Sequence, residues 1–151
     1  YHSILELGRI DTVMRLIETQ FSLYVGDCWE HLCRQYVSGN EIDGIIYNMA
    51  SRWWGKIFPN DNKEGTMIEL DIVAESFDKK HILIGECKWT NGEDAQRLAH
   101  SLSEKAQSLP FVKREQQVHL VLFLKRTPEH PEAARYFLPE NIVSSHAFRR
   151  E

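Results

Sequence analysis

The chain has 151 residues, which is enough for one domain with a hydrophobic core of its own. Its 42% of hydrophobic and 26% of charged residues are typical of a soluble globular protein, and no apolar run reaches the length of a membrane span. The formal net charge of −4 argues against tight nucleic-acid binding over the whole surface, because such binding depends on neutralising phosphates. A local basic patch is still compatible with this charge.

Three cysteines, Cys28, Cys33 and Cys87, form no paired framework, and no Cys/His cluster has the spacing of a zinc site. We therefore expect reduced thiols and a cytoplasmic location. Cys28 and Cys33 lie in one helical pattern and should point to different faces of it. The chain begins at Tyr1 without a secretory signal pattern or an initiator Met, so we expect it to be part of a longer protein.

The first third of the chain predicts two helices. Asp11 to Phe21 carries apolar residues at the spacing of one helix face, and a second helix begins after Gly26 and ends at Gly39. The inner stripe of this second helix consists of Trp29, Leu32, Cys33, Tyr36 and Val37.

Strands dominate the middle of the chain. Ser51 to Phe58, Thr66 to Glu75 and His81 to Trp89 have strand character, and polar turns separate them. In the adjacent pair Trp53 and Trp54, alternation predicts that one side chain lies in the core and that the other is exposed, where it could stack on a base.

The last third combines helices and strands. A helix is predicted over Glu93 to Leu109, and Val118 to Leu124 is a nearly continuous apolar strand that should be central and covered on both sides. A short helix over Glu132 to Leu138 and an edge strand over Asn141 to Ser144 complete the prediction. The expected fold class is α/β, with a central mixed sheet of about four to five strands flanked by helices.

Ionic side chains end two of the predicted strands. Alternation places on one face of the first strand Met67, Glu69, Asp71 and Val73. On the second strand, alternation gives one face the residues Ile82, Ile84, Glu86 and Lys88. Burying carboxylates and an ammonium on such core-like strands costs free energy unless a partner, such as a divalent cation, compensates for it.

The register of the two strands brings these groups together. In a symmetric hairpin, Asp71 lies opposite Glu86 and Glu69 lies opposite Lys88. Directly opposed residues have Cβ atoms roughly 4.5–5.5 Å apart, and two carboxylates at that distance repel each other unless a proton or a metal ion lies between them. Oxygen ligands of this kind suit Mg²⁺ or Mn²⁺. A bulge in either strand would change the pairing.

This arrangement suits phosphodiester hydrolysis. A metal ion held by Asp71 and Glu86 would generate hydroxide and neutralise charge on the phosphate. Lys88 would position or deprotonate the attacking water, or stabilise charge in the transition state. Glu69 would be a further metal ligand or would orient Lys88.

An acidic strand residue followed by Glu-x-Lys on the next strand is the motif of the PD-(D/E)xK nuclease superfamily, which Asp71, Glu86 and Lys88 resemble. Nearly the whole chain resembles the nuclease-like domain of unknown function at the C-terminus of archaeal-type ATPases. The segments that carry this resemblance are GDCWEHLCRQYV, RWWGKIF, IELDIVA and LIGECKW. It implies a restriction-endonuclease-like fold, Mg²⁺ or Mn²⁺ as the cofactor, and endonuclease activity on DNA.

The resemblance also implies further residues and partners. The superfamily often adds an acidic residue from its first helix, and Glu30 matches that position, whereas Leu70 replaces the Pro of the motif. Residues 1–25 would be a helical lead-in from a preceding ATPase module, and residues 26–151 would be the nuclease-like domain. DNA and the ATPase module are the expected partners. Many members of the superfamily act as homodimers, and no membrane association is expected.

Alternatives remain open for each residue. Glu86 and Lys88 could be a solvent-facing pair on an edge strand. Glu30 could belong to a capping box with Asp27 or be a surface residue of its helix, and Glu69 could support the metal ligands from behind or lie at the surface. The whole domain could be a catalytically inactive module that binds nucleic acid or a protein partner for the ATPase, and the acidic net charge favours that alternative.

Overall fold

The computed structural model describes residues 2–60 and 63–144 of the chain. The helices in these ranges are α1 (His2–Glu6), α2 (Ile10–Val37), α3 (Ala95–Ala106) and α4 (Pro139–Val143), together with a 3₁₀ helix (Pro131–Ala133). The strands are β1 (Glu41–Ile42), β2 (Ile45–Ile46), β3 (Ser51–Ile57), β4 (Thr66–Glu75), β5 (His81–Lys88), β6 (Gln117–Leu124) and β7 (Tyr136–Phe137).

The main sheet of the described residues is mixed and has five strands in the order β3-β4-β5-β6-β7. β4 is antiparallel to both of its neighbours, β3 and β5, whereas β6 is parallel to β5 and β7 is parallel to β6. Parallel neighbours need a crossover connection, and α3 supplies it between β5 and β6. The predicted α/β fold with a mixed sheet flanked by helices is confirmed.

Helices cover both faces of this sheet. One hydrophobic core joins α2 to the sheet and includes Trp29 and Phe123. A second core joins α3 to the opposite face and includes Leu102 and Leu122. β6 contributes side chains to both cores, which confirms the prediction of a central strand covered on both sides.

Two predictions about side-chain direction are confirmed. Trp53 packs edge-on against Phe111, with ring centroids 5.2 Å apart, while 67% of Trp54 is exposed. Cys33 is buried and Cys28 is exposed, so the two cysteines point to different faces of the helix that carries them.

α2 is one continuous helix of 28 residues, so the prediction of two helices separated at Gly26 is wrong. A glycine inside a helix costs only about 1 kcal/mol relative to alanine, which is too little to end a helix whose next turns are buried. Trp29 and Cys33 supply that burial. Asp27 therefore lies within the helix and cannot be its N-cap, which excludes the capping-box alternative for Glu30.

The first part of α2 extends beyond the sheet. Val13 is its only buried residue before Trp29, and 66% of Phe21 is exposed. The predicted boundary between residues 25 and 26 falls inside this helix, and the division into a lead-in and a domain stays a prediction. Tyr1 and residues 145–151 lie outside the described residues. Neither α2 nor any other helix in the described ranges is apolar enough over a sufficient length to cross a membrane.

The two elements predicted after β6 are wrong. The predicted helix over 132–138 is a single 3₁₀ turn followed by β7, and the predicted strand over 141–144 overlaps the end of α4. Tyr136 and Phe137 pair with β6 and occupy the sheet edge that the predicted strand was expected to fill. Pro139 begins α4, because its fixed φ angle suits the first turn of a helix.

The small hairpin of β1 and β2 was not predicted. Asp43 and Gly44 form its turn, and both have a positive φ, of 51° and 81°. An Asp-Gly pair between two short strands is a known hairpin signal because such turns require positive φ at both central residues. The signal was present in the sequence, but the flanking strands are too short to show alternation.

Candidate active site

The predicted hairpin of β4 and β5 forms with the predicted register near its turn. Antiparallel pairing extends from the turn as far as Ile72 opposite Gly85. The ladder between the two described strands ends at this pair, so Asp71 and Glu86 come just beyond its last rung. The two strands separate where the ionic side chains begin.

The side chain of Asp71 takes the place of a backbone partner at this point. Bonded and non-bonded pairs alternate along an antiparallel ladder, and the N–H of Ser76 donates to the carbonyl of His81 at 2.9 Å near the turn. If this alternation continued along the two strands, the N–H of Cys87 would donate to the carbonyl of Leu70. It donates instead to Oδ2 of Asp71 at 2.8 Å, which fixes this carboxylate beside the end of β5.

A β-bulge in β4 accompanies this arrangement. The pairing of β3 with β4 shifts between Ser51 and Trp53, so that Asp71 and Ile72 together oppose a single residue of β3. The extra residue re-aims the side chain of Asp71 toward β5. The bulge is the irregularity that alters the predicted pairing of the carboxylates.

The bulge also changes which side chains share a face of β4. Leu70 packs in the core on the α3 side, but Ile72 packs in the core on the α2 side. Val73 packs on the α3 side, opposite to the face of Glu69. Alternation is lost where the extra residue enters. The prediction of one shared face is therefore wrong for the set Met67, Glu69, Asp71 and Val73.

Glu86 and Lys88 extend from β5 toward α3, on the same face as Ile84, as predicted. The side chain of Glu86 is 16% exposed, and its Oε1 lies 3.7 Å from Nζ of Lys88. Burial raises the pKa of the Glu86 carboxyl, the charge of Asp71 raises it further, and nearby ammonium groups lower it. β5 is an inner strand, so the alternative of a solvent-facing pair on an edge strand is wrong.

α2 brings Glu30 to the site from the other side of the sheet. Nε1 of Trp29 donates to the carbonyl of Phe123 at 3.2 Å and so anchors the helix. Nη1 of Arg34 donates to the carbonyl of Asp71 at 3.1 Å and lies 3.7 Å from Oε2 of Glu30. Burial raises the pKa of the Glu30 carboxyl, and the charge of Asp71 adds to this effect.

Glu69 lies apart from Lys88. It stands opposite Trp54 of β3 and forms an ion pair with Arg52, and its side chain is 46% exposed. The predicted pair of Glu69 and Lys88 falls beyond the end of the β4–β5 ladder. A role for Glu69 as a metal ligand stays a prediction.

The fit of the site to a hard divalent cation depends on two carboxylates, Asp71 and Glu86. No three His, Cys, Asp or Glu side chains of residues 2–60 and 63–144 form a group that could hold a metal ion. Mg²⁺ is often bound through only one or two carboxylates, because it keeps several of its waters. Asp71 and Glu86 supply two carboxylates. Burial is the larger cause of the raised pKa of Glu86, and repulsion by the charge of Asp71 is the second cause. A cation between the two carboxylates would relieve this repulsion.

Cys87 lies between Glu86 and Lys88 in the sequence but points into the core on the α2 side. Burial raises the pKa of its thiol well above the usual value. The thiol therefore stays protonated at neutral pH and is not a thiolate ligand. This leaves oxygen atoms as the donors of the site.

Two cavities meet at Lys88. One, of about 460 Å³, lies between β5 and α3 and is lined by Glu86 and Lys88. The other, of about 690 Å³, lies beside α2 and is lined by Glu30 and Lys88. The site is therefore open to solvent on both sides of the sheet end, and Lys88 lies at the junction.

Two arginines at the site were not predicted. Arg34 lies one turn after Glu30 on α2, and this spacing in the sequence could have indicated the ion pair. Arg52 meets Glu69 only through the pairing of β3 with β4, so no local signal in the sequence indicated it.

A family model, DUF234, described as archaeal and bacterial proteins of unknown function, matches residues 1–105 of the chain. The matched segment carries the residues Glu30, Glu69, Asp71, Glu86 and Lys88. The match confirms that the chain resembles a family of unknown function, and the nuclease assignment stays a prediction. A search of curated proteins finds no match.

Proposed function

The chain belongs to DUF234, a family of archaeal and bacterial proteins of unknown function, and we propose that it is a metal-dependent nuclease-type domain that hydrolyses phosphodiester bonds in DNA. The observation that carries the proposal is the position of Asp71, whose carboxylate accepts the N–H of Cys87 where β4 and β5 separate. Glu86 and Lys88 flank Cys87 on β5. Two carboxylates and an ammonium at one strand end are the groups that metal-assisted hydrolysis needs.

Asp71 and Glu86 are the residues that would hold Mg²⁺ or Mn²⁺, which supplies a water of lowered pKa and neutralises charge on the phosphate. Asp71 is suited to this because its Oδ2 is fixed by the N–H of Cys87. Within the described ranges, no hydrogen bond engages its Oδ1. Burial raises the pKa of Glu86, so metal binding should weaken as the pH falls and this carboxylate is protonated.

In this proposal, Lys88 acts on the substrate. Its side chain is 40% exposed, and the ion pair with Glu86 holds the ammonium at the junction of the two cavities. From there the ammonium can contact a phosphate oxygen or the attacking water and stabilise negative charge in the transition state. Glu30 lies on the α2 side, where its carboxylate can accept a hydrogen bond from a water at the site.

The wider context belongs to the same proposal. An ATPase module on the same full-length chain would control the domain or deliver its substrate, and the reduced cysteines suit the cytoplasm. The net charge of −4 supports a division of labour in which another domain, or a second copy in a homodimer, contributes to DNA binding.

Cleavage of supercoiled and branched DNA by the full-length protein tests the proposal. We expect cleavage with Mg²⁺ or Mn²⁺ and none after chelation of the metal. Asp71→Ala and Lys88→Ala should abolish it. The matched control is Lys80→Ala, which removes an exposed lysine at the opposite end of β5 and should leave cleavage unchanged.

Two outcomes would contradict the proposal. If Asp71→Ala and Lys88→Ala cleave DNA like the wild type, the active-site assignment is wrong. If the wild type binds DNA but never cleaves it, with or without ATP, the chain is a binding module with an inactive nuclease fold.

A further inference from the structure

The cavity between β5 and α3 is lined by three cationic side chains, Lys88 from β5 and Arg97 and Lys105 from α3. Lys88 forms an ion pair with Glu86. Arg97 and Lys105 form no ion pair with any residue in the ranges 2–60 and 63–144. In the described part of the chain, both side chains therefore line the cavity without being held in an ion pair, although the charge of Lys105 also acts on Glu86.

Two of the carboxylates that line the same cavity, Glu93 and Asp94, accept hydrogen bonds from neighbouring residues. Glu93 accepts a hydrogen bond from the hydroxyl of Thr90, and Asp94 caps α3 by accepting the backbone N–H of Arg97 at 3.2 Å. Glu86 belongs to the site itself. An incoming anion would thus meet two cations, Arg97 and Lys105, that no ion pair within the described ranges holds on the α3 side of this cavity.

Arg97, Ser101 and Lys105 form a row along one side of α3, because residues four apart lie one above the other on a helix. The row spans about 12 Å at about 1.5 Å per residue. A B-form DNA strand advances about 3.4 Å per nucleotide, so the row matches between three and four nucleotides. Lys105 lies close to the site, because it lines the same cavity as Glu86 and Lys88.

A second cavity, of about 360 Å³, continues this row. It shares Ser101 and Lys105 with the first, and its other lining residues are uncharged except Glu104, which lies 3.3 Å from His100; Asn60, Thr66 and Gln107 are among the uncharged ones. These side chains can donate hydrogen bonds to sugar and phosphate oxygens without adding negative charge. The path from Lys88 along α3 is therefore continuous and suited to a phosphate backbone.

The cavity beside α2 is the more acidic of the two. It is lined by three carboxylates, Glu18, Asp27 and Glu30, and by two cations, Arg15 and Lys88, whereas three carboxylates and three cations line the cavity between β5 and α3. A strand of phosphates that followed α2 away from Lys88 would therefore meet more net negative charge than one that followed α3.

We propose that the cavity between β5 and α3 is a phosphate-binding subsite of the nuclease site, in which Lys105 and Arg97 hold the backbone phosphates next to the scissile one. The substrate is then an oligonucleotide strand that runs along α3, and not a mononucleotide. The subsite rests on the proposed function, and Lys105 and Arg97 are positioning residues that act on substrate binding.

Binding of a fluorescein-labelled single-stranded DNA oligonucleotide, measured by fluorescence anisotropy of the protein with Ca²⁺ in place of Mg²⁺, tests the subsite apart from cleavage. We expect the Kd to rise about tenfold for Lys105→Ala, as for the loss of one charge-assisted hydrogen bond. The slope of log K against log salt concentration should fall by about 0.7 for each phosphate that the variant no longer neutralises. Arg97→Ala should act in the same direction, and Lys105→Arg should restore binding.

Two controls and three outcomes make the test decisive. Lys80→Ala and Asp27→Asn change residues outside the α3 row. Each variant should have a Kd within twofold of the wild-type Kd and a salt slope equal to the wild-type slope within error. If Lys105→Ala and Arg97→Ala do the same, the subsite is wrong, even if the wild type cleaves DNA. If Asp27→Asn tightens binding as much as Lys105→Ala weakens it, the strand follows α2 and the proposed path is wrong. If the wild type neither binds nor cleaves DNA, the proposed function fails together with the subsite.

Discussion

The hairpin of β4 and β5 has two halves that differ in backbone pairing and in the side chains they carry. In the regular half, near the turn, residues 72–75 pair with residues 82–85 in an unbroken ladder, and Ile72 and Ile84 are fully buried. In the open half, from residue 71 toward residue 66 and from residue 86 to residue 88, the two strands do not pair with each other, and Asp71, Glu86 and Lys88 stand next to the buried Leu70 and Cys87. The regular half stabilises the sheet, and the open half presents chemical groups.

Gly85 marks the border between the halves. A Cβ atom at this position would lie 3.0 Å from the ring of Phe123 and 3.1 Å from Cβ of Ile72. The backbone of β5 can therefore approach its neighbours closely at the last rung of the ladder. Immediately beyond it, a carboxylate replaces the carbonyl as the partner of a strand N–H. Beyond this border β4 stays paired with β3 and β5 stays paired with β6, so the sheet remains continuous on both outer sides where the β4–β5 ladder ends.

The largest expected effect tests whether the open half serves chemistry and not stability. Lys88→Ala should lower the rate of DNA cleavage by about 10²- to 10⁴-fold, which is typical of the loss of a group that acts in the transition state. Its free energy of unfolding, measured by urea denaturation, should change by less than about 0.5 kcal/mol. A loss of stability large enough to explain the fall in activity would remove the distinction between the halves.

The converse change lies in the regular half. Ile84→Ala should lower the free energy of unfolding by about 2–5 kcal/mol, because it leaves a cavity in the core on the α3 side. Met67→Ala, at a position on β4 that is 63% exposed, is the control and should cost less than about 0.5 kcal/mol. Equal costs for the two variants in urea denaturation would contradict the assignment of stability to the regular half.

A third change separates the two roles of Asp71. Asp71→Ala leaves the buried N–H of Cys87 without its acceptor and should cost about 1–3 kcal/mol of stability. Asp71→Asn keeps an acceptor oxygen and should cost less, although both variants should lose Mn²⁺ binding by calorimetry. If Asp71→Asn binds Mn²⁺ like the wild type, this carboxylate is structural only.

The smallest expected effect concerns pH. Burial raises the pKa of Glu86 above its usual 4.5, so the folded state binds this proton more tightly than the unfolded state. The group therefore favours the folded state below pH 4.5, and this contribution is lost as the pH rises through the raised pKa. In metal-free buffer, Glu86→Gln should be more stable than the wild type at pH 7 and no more stable at pH 3.

Urea denaturation at the two pH values measures this difference. A stabilisation of Glu86→Gln that is the same at both pH values would show that charge is not its cause. A variant less stable than the wild type at pH 7 would contradict the raised pKa itself.

Much of the sheet and of the site could be predicted because both depend on local patterns. Alternation over Thr66 to Glu75 predicts the bounds of β4, and Glu86 and Lys88 follow Ile84 on the same face. The bulge at Asp71 could not be predicted, since no glycine or proline marks it. It depends on how β3 pairs with β4, which is a property of the tertiary structure.

The errors at both ends of the chain have a similar cause. Local propensity at Gly26 and Asp27 predicts a helix break, but the burial of Trp29 outweighs the cost of one glycine. β7 consists only of Tyr136 and Phe137, and two residues are too few to show alternation. In each case a tertiary contact overrides a weak local preference.

α2 is one continuous helix that is anchored to the sheet beside the active site. Its 28 residues form a rod of about 42 Å, which is clamped to the sheet from Trp29 onward. Any tilt of a rigid helix about the anchored end displaces its far end most, near Arg15, and the turn beside Trp29 least. Glu30, the residue after Trp29, therefore lies at the part of α2 that such a tilt would displace least from Asp71.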